Sequence, residues 1–344
     1  MNSRVRNLLL VGAVVLLAAV GGTYMTRGIT TAGQPRRNST TDEQQQQRRP
    51  IIQIVRSQTG LPSFADTIAG LCPSIAAISQ AGASGMATTG FAVSADGWVI
   101  AASAALPAGN LEAHFGAGPA VGVSEVRADP VSGLSLLHTD ATGLRPVRLA
   151  DQAFPNIGDL GFAIVDPAAR GCSAQLAMVA SDFLVDGGAP AAYVRLQPMG
   201  PDLALGAPFI SGTGDAAGVV APGAQPNTVI PADVVSDIAN ELLRGSLSPM
   251  TSFGFRAKDF DPGLAGRLSD GRSVGTVVAL VQPKSPAARA GLQAGDIVVA
   301  VDGSPIASAS ELGRALDGDD KSASIDIARG DQRLSLSIAR VPGS

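Results

Sequence analysis

Along the chain the apolar positions change period several times. Thirteen uninterrupted apolar residues, Leu8–Val20, follow Arg4 and Arg6. That length and flank fit a secretory signal core or a short membrane anchor, and Ala19-Val20-Gly21 has the small-x-small pattern of a cleavage site. From Thr26 to about Ser57 the chain is rich in Thr, Gln and Arg with no apolar period, which reads as a flexible linker. Between Phe64 and about Gly223, short β-like runs are punctuated by Gly, Pro and Asp. Phe91-Ala-Val-Ser and Trp98-Val-Ile flank Asp96-Gly97, a strong hairpin signal. Strands at this spacing predict a sandwich or barrel. In Ala232–Leu243 the residues Val234, Val235, Ile238, Leu242 and Leu243 follow helical spacing, and Gly245 stops the run.

A second unit begins after Ser248-Pro249. There Ser285 caps a short helix that Gly291 ends, Ile297–Val301 reads as a strand, and Asp302-Gly303 makes a turn. Ser308–Leu316 reads as an amphipathic helix with Leu312 and Leu316 on one face. The chain thus divides into a signal or anchor (1–25), a linker (26–60), a strand-rich region (61–247) and a C-terminal domain (248–344).

Composition sharpens this picture. Of 344 residues 45% are hydrophobic and 16% charged, which leaves ample material for buried cores. Forty-one Gly and 23 Pro disfavour a helical bundle. The net charge of −4 is unevenly spread: the first fifty residues hold seven Arg against two acids, and the rest is acidic. An acidic body repels phosphate backbones, and one Trp with two Tyr gives no stacking platform, so nucleic acid is excluded as a partner. Cys72, Cys172, His114 and His138 are far apart, so neither a metal nor another cofactor is expected. Two readings of the cysteines stand open, a disulfide in an oxidising compartment or two buried thiols.

Four segments in order carry a resemblance: Thr89–Ile100, Asp129–Leu137, Ile157–Ile164 and Val229–Val235. They resemble the HtrA/DegP-type serine proteases, which implies a trypsin-like double β-barrel over roughly residues 64–245. The run Ser285–Ile306 resembles a PDZ domain of the bacterial type. The implied fold class is mainly β: an N-terminal signal or anchor helix, a double barrel, then an α+β PDZ domain.

The resemblance also locates where protease chemistry belongs. The His position falls on Ala104, the Asp position on Gly133 and the nucleophile on Leu205, with Leu203 at the oxyanion-loop glycine. The stretch Gln197–Pro208 is about two residues shorter than the family pattern. A methyl, a hydrogen and an isobutyl group neither attack a carbonyl nor carry its proton. The expectation is a pseudoprotease, with an active endopeptidase of displaced site as the alternative and a regulatory subunit of active relatives as a second. His114 and His138 read as exposed strand positions, Ser103 as a nucleophile type without a base, and Ser211 as a turn residue.

A PDZ domain implies binding of peptide or protein C-termini by addition to a sheet edge. Ser252-Phe253-Gly254-Phe255 fits the carboxylate loop, with Phe253, Phe255, Leu312 and Leu316 around the last side chain. The competing reading makes Phe253 and Phe255 core residues of the first strand. The family further implies a homotrimer or a hetero-oligomer with active relatives, in envelope quality control or scaffolding. The N-terminal segment implies the periplasm, either free or on the periplasmic side of the inner membrane.

Overall fold

Alternating burial explains why so many strands read as nearly continuous apolar runs. In β1 (Ile75–Gln80), β2 (Thr88–Ala92), β3 (Trp98–Ala102), β4 (Leu111–Phe115), β5 (Ala120–Asp129) and β6 (Leu134–Thr139) the chain closes a barrel in the order β1-β2-β3-β6-β5-β4. Val99, Ala101 and Leu137 point into that barrel, while Ile100, Leu134 and Leu136 point out of it into a second core. The second barrel is β7 (Leu160–Val165), β8 (Ser173–Ser181), β9 (Val194–Pro198), β10 (Pro208–Ser211), β11 (Ala216–Ala221) and β12 (Thr228–Pro231). Here Ala163, Val220 and Val229 line the interior, and Phe162, Ile164, Val219 and Ile230 face the core shared with the first barrel. With period-2 side chains and both faces dry, such strands lose the polar half of the usual alternation.

The computed structural model describes residues 64–83, 88–150, 156–165, 172–181, 194–221, 226–259, 276–318 and 320–341. The expected signal or anchor and linker lie outside the described residues. Among the described residues, no helix is long and apolar enough to cross a membrane.

Helix α1 (Phe64–Leu71) leads into the first barrel, and Phe64 meets the Phe162 ring edge-on at 5.2 Å. Directly after it, Cys72 forms a disulfide with Cys172, which closes 100 residues of sequence and joins the entry of the first barrel to β8 of the second. The pairing reading of the cysteines is therefore the one the fold adopts. Helix α2 (Ala232–Arg244) buries Val234, Val235, Ile238 and Leu242 between the barrels, and Gly245 ends it at φ +70°. Arg127 of β5 donates to the Leu242 and Leu243 carbonyls at 2.6 and 2.8 Å, satisfying the helix's last acceptors.

The remaining strands are β13 (Phe255–Asp259), β14 (Thr276–Val281), β15 (Ile297–Val301), β16 (Ser304–Pro305), β17 (Ser322–Arg329) and β18 (Gln332–Ala339). They form one sheet in the order β13-β14-β15-β17-β18, with β16 on β15 and β13 at the edge. Among the described residues two helices flank it, each begun by a serine cap. Ser285 accepts the Ala288 N–H before α3 (Pro286–Arg289), and Ser308 accepts the Glu311 N–H before α4 (Ala309–Leu316). Leu312 and Leu316 of α4 pack on Phe253, Phe255, Val278 and Ile325. Leu280 of β14 belongs instead to the core between the barrels. The sheet is thus seated on the double barrel.

Candidate functional site

The three positions aligned with a catalytic triad do lie together. β3 ends at Ala102 and passes into a 3-10 turn, Ser103–Ala105, which leaves Ala104 exposed. The Ser103 N–H donates to the Gly133 carbonyl at 2.8 Å, and the Ser103 and Ser135 hydroxyls are 2.7 Å apart. The Asp129–Gly133 turn is held by its own side chains. Asp129 accepts the Ser132 N–H at 2.9 Å, and Ser132 Oγ accepts the Leu134 N–H at 3.2 Å. Gly133 sits at φ +70°, where a residue with a side chain is strained.

Leu205 approaches from the loop between β9 and β10. Gly206, at φ +81°, makes that approach possible: a Cβ there would collide with the Thr89 carbonyl and stand 3.0 Å from the Ala102 nitrogen. The Leu205 side chain is half-buried against the second barrel's core, and its carbonyl accepts from Thr88 Oγ1 at 3.3 Å. Four N–H groups of this loop have internal acceptors. Leu203 donates to Asn227 Oδ1 at 2.7 Å and Ala204 to Gln175 Oε1 at 3.2 Å. Gly206 donates to the Val220 carbonyl at 2.7 Å and Ala207 to that of Ala204 at 3.2 Å.

Both histidines stand away from this cleft. His114 lies 3.5 Å from Glu112 on β4, and His138 contacts Ser124 Oγ through Nδ1 at 3.0 Å while its ring meets Trp98 at a tilt, 4.6 Å between centroids. Ser124 is exposed on a sheet surface and also contacts the His138 carbonyl, at 3.2 Å. Ser211 closes a turn, bonded to Thr213 and to the Asp215 carbonyl. Among the described residues no group of His, Cys, Asp or Glu is placed to hold a metal.

The residues read as a peptide pocket also come together, but inside. A 3-10 turn, Pro249–Phe253, precedes Gly254 at φ +84°. The Gly254 N–H donates to the Thr251 carbonyl at 3.0 Å, and its carbonyl accepts from Gln282 at 2.8 Å and Ser285 at 3.2 Å. Phe253 and Phe255 are 1% and 0% exposed, Leu312 and Leu316 0% and 2%, and all four share one core. The competing core reading therefore describes where these side chains sit. The backbone differs. Because Gln282 and Gly254 form a bonded pair, antiparallel alternation turns the Phe255 N–H and C=O away from β14, toward the sheet's open edge.

Beside that edge lies a cleft of about 400 Å³, walled by β13 and α4 on one side and α2 on the other. Ionic contacts fix the distance between these walls. Arg256 of β13, 5% exposed, makes two hydrogen bonds to the fully buried Asp129 carboxylate, both at 3.0 Å, and one to Glu241 at 2.9 Å. Burial opposes the Arg256 charge, but the two carboxylates outweigh it and raise its pKa. Two turns toward the start of α2, Asp233 pairs with Lys258. Asp129 thus holds both the turn that carries Gly133 and the strand that borders the cleft. Sequence reasoning missed Arg256, Asp237 and the whole α2 wall, since no local pattern joins them to the C-terminal domain.

Comparison with known proteins agrees with this architecture. A PDZ-domain family model matches residues 277–329. A DegP-like periplasmic serine endoprotease of Pseudomonas putida is 25% identical over 276 residues, covering 73% of this chain and 55% of its own length. The serine protease HhoA of Synechocystis is 26% identical over 231 residues, 61% of this chain and 59% of that one. The chain is similar to the HtrA/DegP-type serine proteases. It spans little more than half the length of these two curated relatives. The solved structure of the HtrA-type protease AlgW with a decapeptide superposes with a TM-score of 0.50 at 17% identity, covering 81% of this chain and 98% of that one. At that identity the likeness concerns the fold: a trypsin-like double barrel followed by a PDZ domain.

Proposed function

We propose that this HtrA-type chain is an exported pseudoprotease whose PDZ domain binds peptide or protein C-termini. The observation that carries the reading is the loop Leu203–Ala207. Acyl transfer needs a nucleophile, a base, and N–H donors aimed at the developing oxyanion. Here Leu205 occupies the nucleophile position and packs on the barrel core, while the N–H groups of Leu203, Ala204, Gly206 and Ala207 are already engaged. Ala104 supplies no base and Gly133 no carboxylate.

Peptide binding is supported by the open edge of β13, by the outward Phe255 N–H and by the cleft beside them. The Cys72–Cys172 disulfide and the periplasmic relative support export into an oxidising envelope compartment. There the chain serves protein quality control or scaffolding, free or tethered to the inner membrane by residues 1–25, as a homotrimer or with active relatives. Two assays on the purified chain test the reading. A fluorophosphonate probe should label no serine; labelling of one serine, lost on its mutation, overturns the pseudoenzyme. Free-acid peptides should bind more tightly than their amidated forms; equal affinity overturns C-terminal recognition.

A further inference from the structure

The cleft has charge left over, and its arrangement specifies a ligand. Of the basic residues on β13, Lys258 is engaged by Asp233, and Arg256 by Asp129 and Glu241. Two charged residues of α2 that line the cleft, Asp237 and Arg244, make no ion pair or hydrogen bond among the described residues. They stand seven residues apart on the helix, about 10.5 Å at 1.5 Å per residue.

The ionic contacts give the direction. Lys258 meets the start of α2 and Arg256 a position two turns later, so α2 runs antiparallel to β13. A peptide added antiparallel to β13 therefore runs parallel to α2. Its C-terminus points toward Arg244 and the Gly254 turn, and its upstream residues pass Asp237. Three residues of extended peptide cover about 10 Å, close to the separation of the two charges. The opposite wall, α4, contributes Ala309, Ser310 and Gly313, which leave room for a long side chain.

We infer that this cleft selects C-terminal peptides bearing Lys or Arg three residues before the last, with Asp237 reading the cation and Arg244 lying beside the terminal carboxylate. The inference rests on the peptide-binding reading above. Asp237 is also held in a state that a cation relieves. Burial first, then the charges of Asp233 and Glu241, raise its carboxyl pKa, and the nearby Lys258 and Arg256 only partly offset them.

Fluorescence polarisation with the full chain tests this using four labelled heptapeptides ending in Leu. Three are free acids with Lys, Ala or Glu three residues before the end, and the fourth is the Lys peptide amidated. We expect Lys to bind about two- to fivefold more tightly than Ala, the range of a partly exposed ion pair, and Glu to bind more weakly than Ala. In Asp237→Asn the three free acids should become equivalent, with the Ala peptide unchanged; in Asp237→Lys the order should invert. Equal binding of all three acids by the parent chain, or a Lys preference that survives in Asp237→Asn, overturns the selection while leaving C-terminal recognition standing. Binding of no free acid, or equal binding of acid and amide, removes C-terminal recognition and this inference with it.

Discussion

Replacing Arg256 by Met keeps most of its aliphatic volume and removes the guanidinium that ties the edge strand β13 to the barrel. What remains is a fully buried Asp129 carboxylate with one hydrogen bond, from the Ser132 N–H. Removing one partner of a buried pair costs about 3–5 kcal/mol, because the other charge is left desolvated. Glu241 adds little to the loss, being 19% exposed and retaining the Ser248 N–H. The expected destabilisation is therefore about 3–5 kcal/mol, a large part of the roughly 5–15 kcal/mol that holds a typical domain. Urea unfolding reads it through Trp98, the chain's one tryptophan, which lies in the first barrel, and through far-ultraviolet dichroism for the whole. Adding Asp129→Asn to Arg256→Met removes the stranded charge while keeping the Ser132 contact, and should recover at least about 1.5 kcal/mol. A loss under about 1 kcal/mol for Arg256→Met, or no recovery in the double variant, would refute a buried ionic tie.

Three further outcomes are expected. Reducing the Cys72–Cys172 bond, or replacing both cysteines by Ser, should lower the urea midpoint. A cross-link closing 100 residues contributes up to about 4.7 kcal/mol through the unfolded chain, and an unchanged midpoint under reductant would contradict the bond. Restoring Ala104→His, Gly133→Asp and Leu205→Ser together should give no casein cleavage, since Asp would occupy a position at φ +70° and the N–H groups of Leu203, Ala204, Gly206 and Ala207 stay engaged; turnover above the parent would show free donors. Asp237→Asn should raise the melting temperature at pH 7. The raised folded-state pKa of Asp237 means that folding disfavours its charge, so the cost is absent below the ordinary carboxyl range and complete once pH passes the folded value. The gap between variant and parent should close near pH 4; a variant less stable at pH 7 counts against this.

Local chemistry made most of the scaffold readable. Asp96-Gly97 turns between β2 and β3 with Gly97 at φ +106°, and Gly245 ends α2 within one residue of the expected place. Ser285 and Ser308 cap the helices they precede. Each of these depends on a few neighbouring residues whose backbone needs are visible in the sequence. The disulfide was not readable in the same way. Cys72 and Cys172 precede strands of separate barrels, and apolar surroundings suit a buried thiol as well as a bond.

The candidate groove shows where such reading stops. An apolar-Gly-apolar segment spells a carboxylate loop and an entry into a core strand equally well. The structure uses Gly254 for a turn and tucks Phe253 and Phe255 inside. Helical spacing put Leu312 and Leu316 on one face of α4, and that face is the interior one. The walls that remain open come from Asp237 and Arg244 on a helix that closes the barrel, set against β13 by Arg256 and an aspartate 127 residues away. No periodicity encodes a contact at that separation. The only local trace was negative: Asp233, Asp237 and Glu241 repeat on one stripe of α2, a like-charge row that weakens an isolated helix. Arg256 and Lys258 neutralise the two ends of that row and leave the middle carboxylate facing the cleft. A helix made for packing alone gains nothing from keeping it, so the charge that costs stability is the one a cationic ligand would find.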